Sequence, residues 1–558
     1  LKATGADGIK LAANADTSAA ISATGSGGDS NAVAVGVAVL AGDTKAKVAV
    51  NAPAGATELS AEQGKVSVEA VTGSDVDINV GAVGTQSYVV SNVGVANYDT
   101  SADVTVDRSI KAGAVDIKAE NNITGLKMTV DNTVKAPDAG ADNGKDTSEA
   151  SDEDKQTDDA AANAEKDKPK SEDEQQSEEK SIDPSKTVQS TSVDSNDNKT
   201  KDAKDGIQKV KDKVEGTNES GDNAQKTSAF GLGTSVGVFS NKNDANITIG
   251  KDAVITANKV SEAIDGSVNV TASTTMSATA DKEDSLQLSV KNTQKNARVE
   301  IGATVLVSNV KNNATVLLNN EGDKSAQIKG DGNTELSAVA GMGTYKKDNE
   351  DKTSVLSYTV NAEGSSEEDS ASTFALSGSV GVNTLKNNAI VLLGQKSKVE
   401  GNTAKLSANA TTSAEGTYGA EDSNSHVALG STVGIQNISG NSLVMAGKDV
   451  EIKGTESLEV QAESNMDLKN QVQNAGKGDS IGISGMVALS YGDSNSIVSL
   501  DDEADIQTGF ATITSTNSTN IDNSARSESK GQGGAKAFGI GVGIVNYDVN
   551  SLAMVSDN

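Results

Sequence analysis

Repetition is the feature that most limits how this chain can fold. Val93-Gly94-Val95-Ala96-Asn97 returns as Val380-Gly381-Val382-Asn383, as Val433-Gly434-Ile435-Gln436-Asn437 and as Val542-Gly543-Ile544-Val545-Asn546. A second block follows each copy and reads Asn/Asp-Ala/Ser-x-hydrophobic-x-hydrophobic. It appears as Asn313-Ala314-Thr315-Val316, Asn388-Ala389-Ile390-Val391, Asn441-Ser442-Leu443-Val444, Asn495-Ser496-Ile497-Val498 and Asn550-Ser551-Leu552. A third block alternates hydrophobic residues up to an Ala, as in Val66/Val68/Ala70, Val115/Ile117/Ala119, Val268/Val270/Ala272 and Leu458/Val460/Ala462. Self-similarity at a fixed period marks a stacked array, in which one repeat cannot bury its apolar face alone.

The period follows by subtraction. Ser442 to Ser496 is 54 residues, Ser496 to Ser551 is 55 and Ala46 to Ala102 is 56. Longer steps of 69 and 75 residues separate Ala245, Ala314 and Ala389. The extra residues fall between a third block and the next first block, which places inserts at one corner of the stack. All three blocks have a period of two, the strand period, and are rich in Val, Ile and Thr. The expected fold is all-β: an elongated parallel β-helix (β-solenoid) of about eight ~54-residue repeats, with loops or hairpins projecting from one face. The three blocks are expected on successive faces with Val, Ile, Leu and Ala inward, and a repeat holds either one coil or two. Leu468–Val472 and Ile481–Ile483, around Gly476-Lys477-Gly478, read as halves of a hairpin. Gly inside the first block weakens a strand, and is tolerable where another backbone approaches closely or where coils stack tightly.

Composition bounds the function. The chain has 558 residues, no Cys, no Trp, one His and 2% aromatic residues. A stack grows by adding repeats, so this length does not demand several globular cores. A net charge of −31 turns the chain away from nucleic acid and from anionic membrane surfaces, and keeps a β-rich object soluble. The absence of Cys excludes disulfides and thiol-ligated metals. No apolar run is long enough for a transmembrane helix. The chain starts at Leu1 rather than Met and stops just after a second block, so it reads as a piece of a longer protein.

The expected organisation is repeats over residues 1–135, an acidic, Lys-rich insert over 136–226, and repeats again over 227–558. The insert carries Pro137, Pro169 and Pro184 and runs such as Ser171-Glu172-Asp173-Glu174-Gln175-Gln176. That composition buries too little apolar surface to offset its ordering entropy, so it reads as disordered. Within it, Ile207, Val210 and Val214 have helical spacing.

Residues for chemistry are sparse. His426 is the only imidazole, and the other repeats have no His at its position. Arginines stand only at Arg108, Arg298 and Arg526, and aromatics such as Tyr88, Phe239, Tyr418, Tyr491 and Phe510 are scattered singly. A sugar-cleaving site needs two acids at a set separation in a cleft, and none is legible here. Asp194-Ser195-Asn196-Asp197-Asn198 opens like a calcium loop, but Lys199 stands where Gly is required. Gly330-Asp331-Gly332-Asn333 and Asp501-Asp502-Glu503 offer oxygen ligands for weak Ca2+ binding at most; turn chemistry accounts for both. Gly231-Leu232-Gly233 and Gly539-Ile540-Gly541 precede strands, not helices, and are not phosphate loops. Asn122-Ile123-Thr124 and Asn246-Ile247-Thr248 follow from an Asn/Thr-rich composition and are not read as glycosylation sites. No catalytic, cofactor or metal residue is assigned, and the chain is expected not to be an enzyme.

The run Val433-Gly434-Ile435-Gln436-Asn437, Asn441-Ser442-Leu443-Val444 and Leu458-Glu459-Val460-Gln461-Ala462 resembles the repeats of very large bacterial surface exoproteins. These are the filamentous adhesin and leukotoxin-like type and, more distantly, filamentous haemagglutinins. The resemblance implies a right-handed parallel β-helix, export across an outer membrane, and display at the cell surface or in the extracellular space. It implies adhesion, with a host cell-surface or matrix component or other bacteria as partner, and self-association as an alternative. The alternative function is a purely structural stalk or filament subunit; a secreted toxin or polysaccharide-acting enzyme ranks last.

Overall fold

The computed structural model describes residues 1–135 and 230–556, apart from short stretches at 6–7, 28–31, 52–57, 86, 280–284, 296, 348, 366–371, 502 and 532–535. Contacts divide the chain into Leu1–Ala139 with Lys226–Asn558, and Gly140–Gln225. The insert expected at 136–226 lies outside the described residues, with its Ile207/Val210/Val214 spacing and Asp194–Asn198.

The described chain is all-β, with its long strands joined in one parallel sheet. Each strand hydrogen-bonds to the strand one repeat further on. Val305 pairs with Val380, Val380 with Val433, Val433 with Val487 and Val487 with Val542. The sequence period is thus the pairing register, and each repeat makes one layer, not two. Eight layers follow, each with a back segment and a front segment. The back segments begin at Ile9, Leu59, Ile110, Val254, Gln327, Lys398, Glu451 and Asp505. The front segments include Ala32–Val50, Ser87–Val106, Gly231–Ile249, Val299–Leu318, Ser372–Leu393 and Lys536–Val555; in the sixth and seventh layers the strand runs on from the back through Ala446 and Leu500.

Three expectations need correction. Blocks one and two do not lie on successive faces; they form one strand, as in the 20-residue Val299–Leu318, and block three lies opposite. Leu468–Val472 and Ile481–Ile483 are not a hairpin. They belong to the main back and front segments and pair in parallel with Ala414–Tyr418 and Val427–Leu429. Inserts are not confined to one corner. A hairpin over Thr344–Thr353 interrupts the back of the fifth layer, but another, Asn320–Ser325, sits between a second block and the next third block.

The core fills the space between front and back. One cluster combines second and third blocks, including Val104, Val106, Val115 and Ile117; another combines the first block with the rest of the back strand, including Ala96, Met128, Val130 and Tyr418. A buried amide line runs between them: Thr100 Oγ1 donates to Asn243 Oδ1 (2.6 Å), Asn243 Nδ2 to Asn312 Oδ1 (2.8 Å), and Asn312 Nδ2 to Asn387 Oδ1 (2.7 Å). An amide both donates and accepts, so identical amides at the strand spacing satisfy one another.

First-block glycines make room for this core. A Cβ on Gly381 would lie 2.1 Å from Tyr418 Cε1, and one on Gly434 2.5 Å from Tyr418 Cδ2. Tyr418 is fully buried, accepts from Asn383 Nδ2 at 2.6 Å, and has its phenol pushed up to about 12 by burial. Gly378 faces the other way, with ordinary 3.6 Å contact to Ser431 Oγ.

Gly381→Ala should cost roughly 1–3 kcal/mol by overpacking, and Gly378→Ala should be near neutral, both read from denaturant melts. Removing residues 398–450 rejoins matching registers, since Lys398 pairs with Glu451. That variant should fold with unchanged far-ultraviolet dichroism per residue, whereas removing half of the stretch should not.

Candidate functional site

Chemistry-bearing residues are dispersed. His426 is exposed, with Nδ1 3.2 Å from Asp479 Oδ2. Arg108 precedes the third back segment, Arg298 the fourth front segment, and Arg526 lies in the last layer, so no two share a site. Phe239 and Tyr418 are core, and Phe510 is exposed. Asp331 Oδ2 accepts from the Lys259 backbone N–H of the layer before it (3.1 Å), a contact between layers, whereas the Asp501 carbonyl accepts from Ala504 N–H (3.1 Å) within a turn. A shallow cleft of about 200 Å³ beside Asp331 is lined by Lys329, Glu400, Asn402 and Lys453. Its Lys329 and Glu400 pair with each other at 3.0 Å. Asn122 and Asn246 use their amides between layers: Thr275 Oγ1 donates to Asn122 Oδ1 (3.1 Å) and Asn246 Nδ2 to Asp103 Oδ1 (2.9 Å). Among the described residues, no three His, Cys, Asp or Glu side chains converge on a metal-sized space.

Two arrangements stand out that the sequence did not yield. The first is on the outside of the front segments. In the first block the valines point outward and the glycines inward, the reverse of the expectation for Val. Gly94, Gly237 and Gly381 are buried, while Val238 is 37%, Val307 41% and Val380 38% exposed. Crowding contributes where Met128 or Tyr418 presses on this inward position, at Gly94, Gly237, Gly381 and Gly434; in the fourth and seventh layers the same position holds the buried Leu306 and Ala488. The register then aligns the valines. One outward line is Val37, Val93, Val236, Val305, Val380, Val433, Val487, Val542, one per layer; the next is Val39, Val95, Val238, Val307, Val382, Ile435, Leu489, Ile544. Four residues back runs a third line, including Leu232, Ile301, Leu376, Leu429, Ile483 and Phe538. Between it and the valines lie Ala303, Gly378, Ser431 and Gly485, so in the fourth to seventh layers a shallow groove separates two apolar ridges; Val35, Thr234 and Ile540 fill the same line in the first, third and eighth.

On the second-block side the outward positions turn polar, whereas on the other side Val299, Phe374, Val427 and Ile481 continue the apolar surface. Asn550 donates to Asn495, Asn495 to Asn441, Asn441 to Asn388, Asn388 to Asn313 and Asn313 to Asp244, at 2.8–3.1 Å. This outer amide line explains the recurrent Asn that opens the second block. The back segments differ: their outer side carries ion pairs between layers, such as Lys65–Asp116 (2.9 Å), Lys469–Glu415 (2.7 Å) and Lys477–Glu421 (2.7 Å). Each exposed pair adds little stability, but opposite charges directly across a ladder favour the register.

The second arrangement is a buried carboxyl pair. Gly364 stands between Gln294 and Asp422 in the back ladder. A Cβ there would lie 2.7 Å from Asp422 Oδ1 and 3.2 Å from Glu300 Oε2, so the missing side chain opens the space where the two acids approach. Glu300 is 1% and Asp422 0% exposed. Ser377 Oγ donates to Asp422 Oδ1 and the Ala297 N–H to Glu300 Oε1, while Glu300 Oε2 and Asp422 Oδ2 have no partner. Burial pushes Glu300 up to about 8 and Asp422 up to about 7, with each carboxyl further raised by an acidic neighbour, Asp422 and Glu421 respectively.

No protein-family description, curated protein or solved structure compared with this chain matches it.

The raised carboxyls fix the sign of a pH dependence. The folded state holds its protons where the unfolded chain, near 4.5 and 3.8, has lost them. Their contribution is complete below about pH 4 and is lost as pH rises through 7 and 8. Tm should fall from pH 5 to pH 8. Glu300→Gln should raise Tm at pH 8 and leave it unchanged at pH 4; an unchanged pH profile in the variant would refute the assignment.

Proposed function

We propose that the chain is a β-solenoid segment of a large bacterial surface adhesin, a rigid repetitive module that holds a cell against host cells, matrix or other bacteria. The observation carrying this reading is the pairing of each repeat with the next in parallel register through eight layers. Inner faces are consumed by stacking, which leaves the loops and outer faces for contact. The reading also rests on the likeness of the repeats to surface exoproteins, and it places the module outside the cell.

A second reading is a structural stalk or filament subunit with no receptor of its own. The outward Val line favours it, because a feature identical in all layers serves lateral packing better than recognition of one ligand.

Binding of the purified chain to host cells, matrix proteins and mucins separates the two. Saturable binding to one target, competed by unlabelled chain, is the expected result for the adhesin. Absence of binding at micromolar chain to every surface tried would leave the stalk.

A further inference from the structure

The outer side of the front segments is the strongest unassigned feature, and we propose that it is a docking surface for a second copy of this chain, packed face to face. The inference rests on the stacked-layer reading above and names the partner in its filament form.

Charge argues first. The four outward positions of this strip, from the Leu232/Ile301 line to the Val238/Val307 line, hold no Asp, Glu, Lys or Arg in any layer, in a chain that is 23% charged. Ion pairs lie on the back and, on the front, only beyond this strip, as at Lys45–Asp43 and Lys242–Asp244, so the strip itself is suited to close apolar packing. A contiguous apolar field of this kind on a soluble protein marks an interaction surface.

Area argues second. Four alternating positions span about 20 Å and eight strands about 34 Å, which gives on the order of 700 Å² per copy. A stable interface of standard size takes about 800 Å² per partner. Sheets that pack face to face do so through facing apolar side chains about 10 Å apart.

Shape argues third and selects a second copy. The ridge of Ile301, Leu376 and Leu429 runs beside the groove of Ala303, Gly378 and Ser431. A two-fold axis parallel to the stack sets the ridge of each copy into the groove of the other. That contact is isologous and closes as a dimer.

Sedimentation velocity of the full chain from 1 to 100 µM tests this. The expected result is a concentration-dependent dimer. Val305→Lys with Val380→Lys should weaken it at least tenfold with unchanged circular dichroism, and Lys405→Glu on the back should leave it intact. If the lysine variant does not fold, Val305→Thr with Val380→Thr, which keeps the shape, should still weaken the dimer. A monomer at 100 µM overturns the proposal, as does a dimer unaffected by the folded strip variants. So does a monomer whose valines are shielded from hydroxyl radicals by residues 140–225, or one that floats with zwitterionic vesicles through the strip. Deleting residues 398–450 in parallel keeps the two readings apart. A folded deletion variant that is monomeric refutes the docking surface while the stacked layers stand.

Discussion

Everything in this molecule depends on one constraint: a residue pairs in parallel with its counterpart one repeat away. Parallel pairing needs a long crossover between partners, and here the crossover is the rest of the repeat. The strand ladder therefore converts a sequence period into a spatial one. At many positions a residue in one layer meets a similar residue above and below it. Val meets Val and Asn meets Asn, and some charges meet their opposite, as Glu415 meets Lys469.

That rule sorts side chains by whether they tolerate their own kind. Asn suits both buried and outer lines, because one amide satisfies the next at strand spacing. Valine tolerates stacking on both sides of the sheet, which is why it fills the core of the second and third blocks and the exterior of the first. Opposite charges alternate along part of the back face, as in Lys329, Glu400 and Lys453 or Glu335, Lys405 and Glu459, although Glu363 faces Glu421 and Glu451 faces Asp505. Glu300 and Asp422 break the rule. They approach inside the stack, and burial, aided by Asp422 beside Glu300 and by Glu421 beside Asp422, keeps them protonated above the usual carboxylate range.

Much of this was legible in the sequence, and the part that was not has a physical reason. The period, the strand character and the number of repeats follow from spacing and alternation. Alternation does not say which alternate residue faces inward. Hydrophobicity suggested Val; the glycines were the better guide, since only a position pressed by Tyr418 or Met128 must lose its side chain. The Asn opening each second block was visible, but its bonding partner lies a whole repeat away. The carboxyl pair was hidden more deeply. Glu300 and Asp422 come together across layers whose steps differ, 75 residues from Val305 to Val380 and 53 from Val380 to Val433, so no fixed spacing reveals them.

The breadth of each layer sets a scale for building outward. Roughly 54 residues are laid down for each ~4.8 Å of advance along the stack. A stack that must project 100 Å needs roughly twenty repeats and on the order of a thousand residues. Reach is therefore limited by how much polypeptide can be synthesised and moved. In exchange, every ångström of advance is cross-linked by a full circuit of backbone hydrogen bonds. Such an object yields little to bending, and its length changes only in whole-repeat steps.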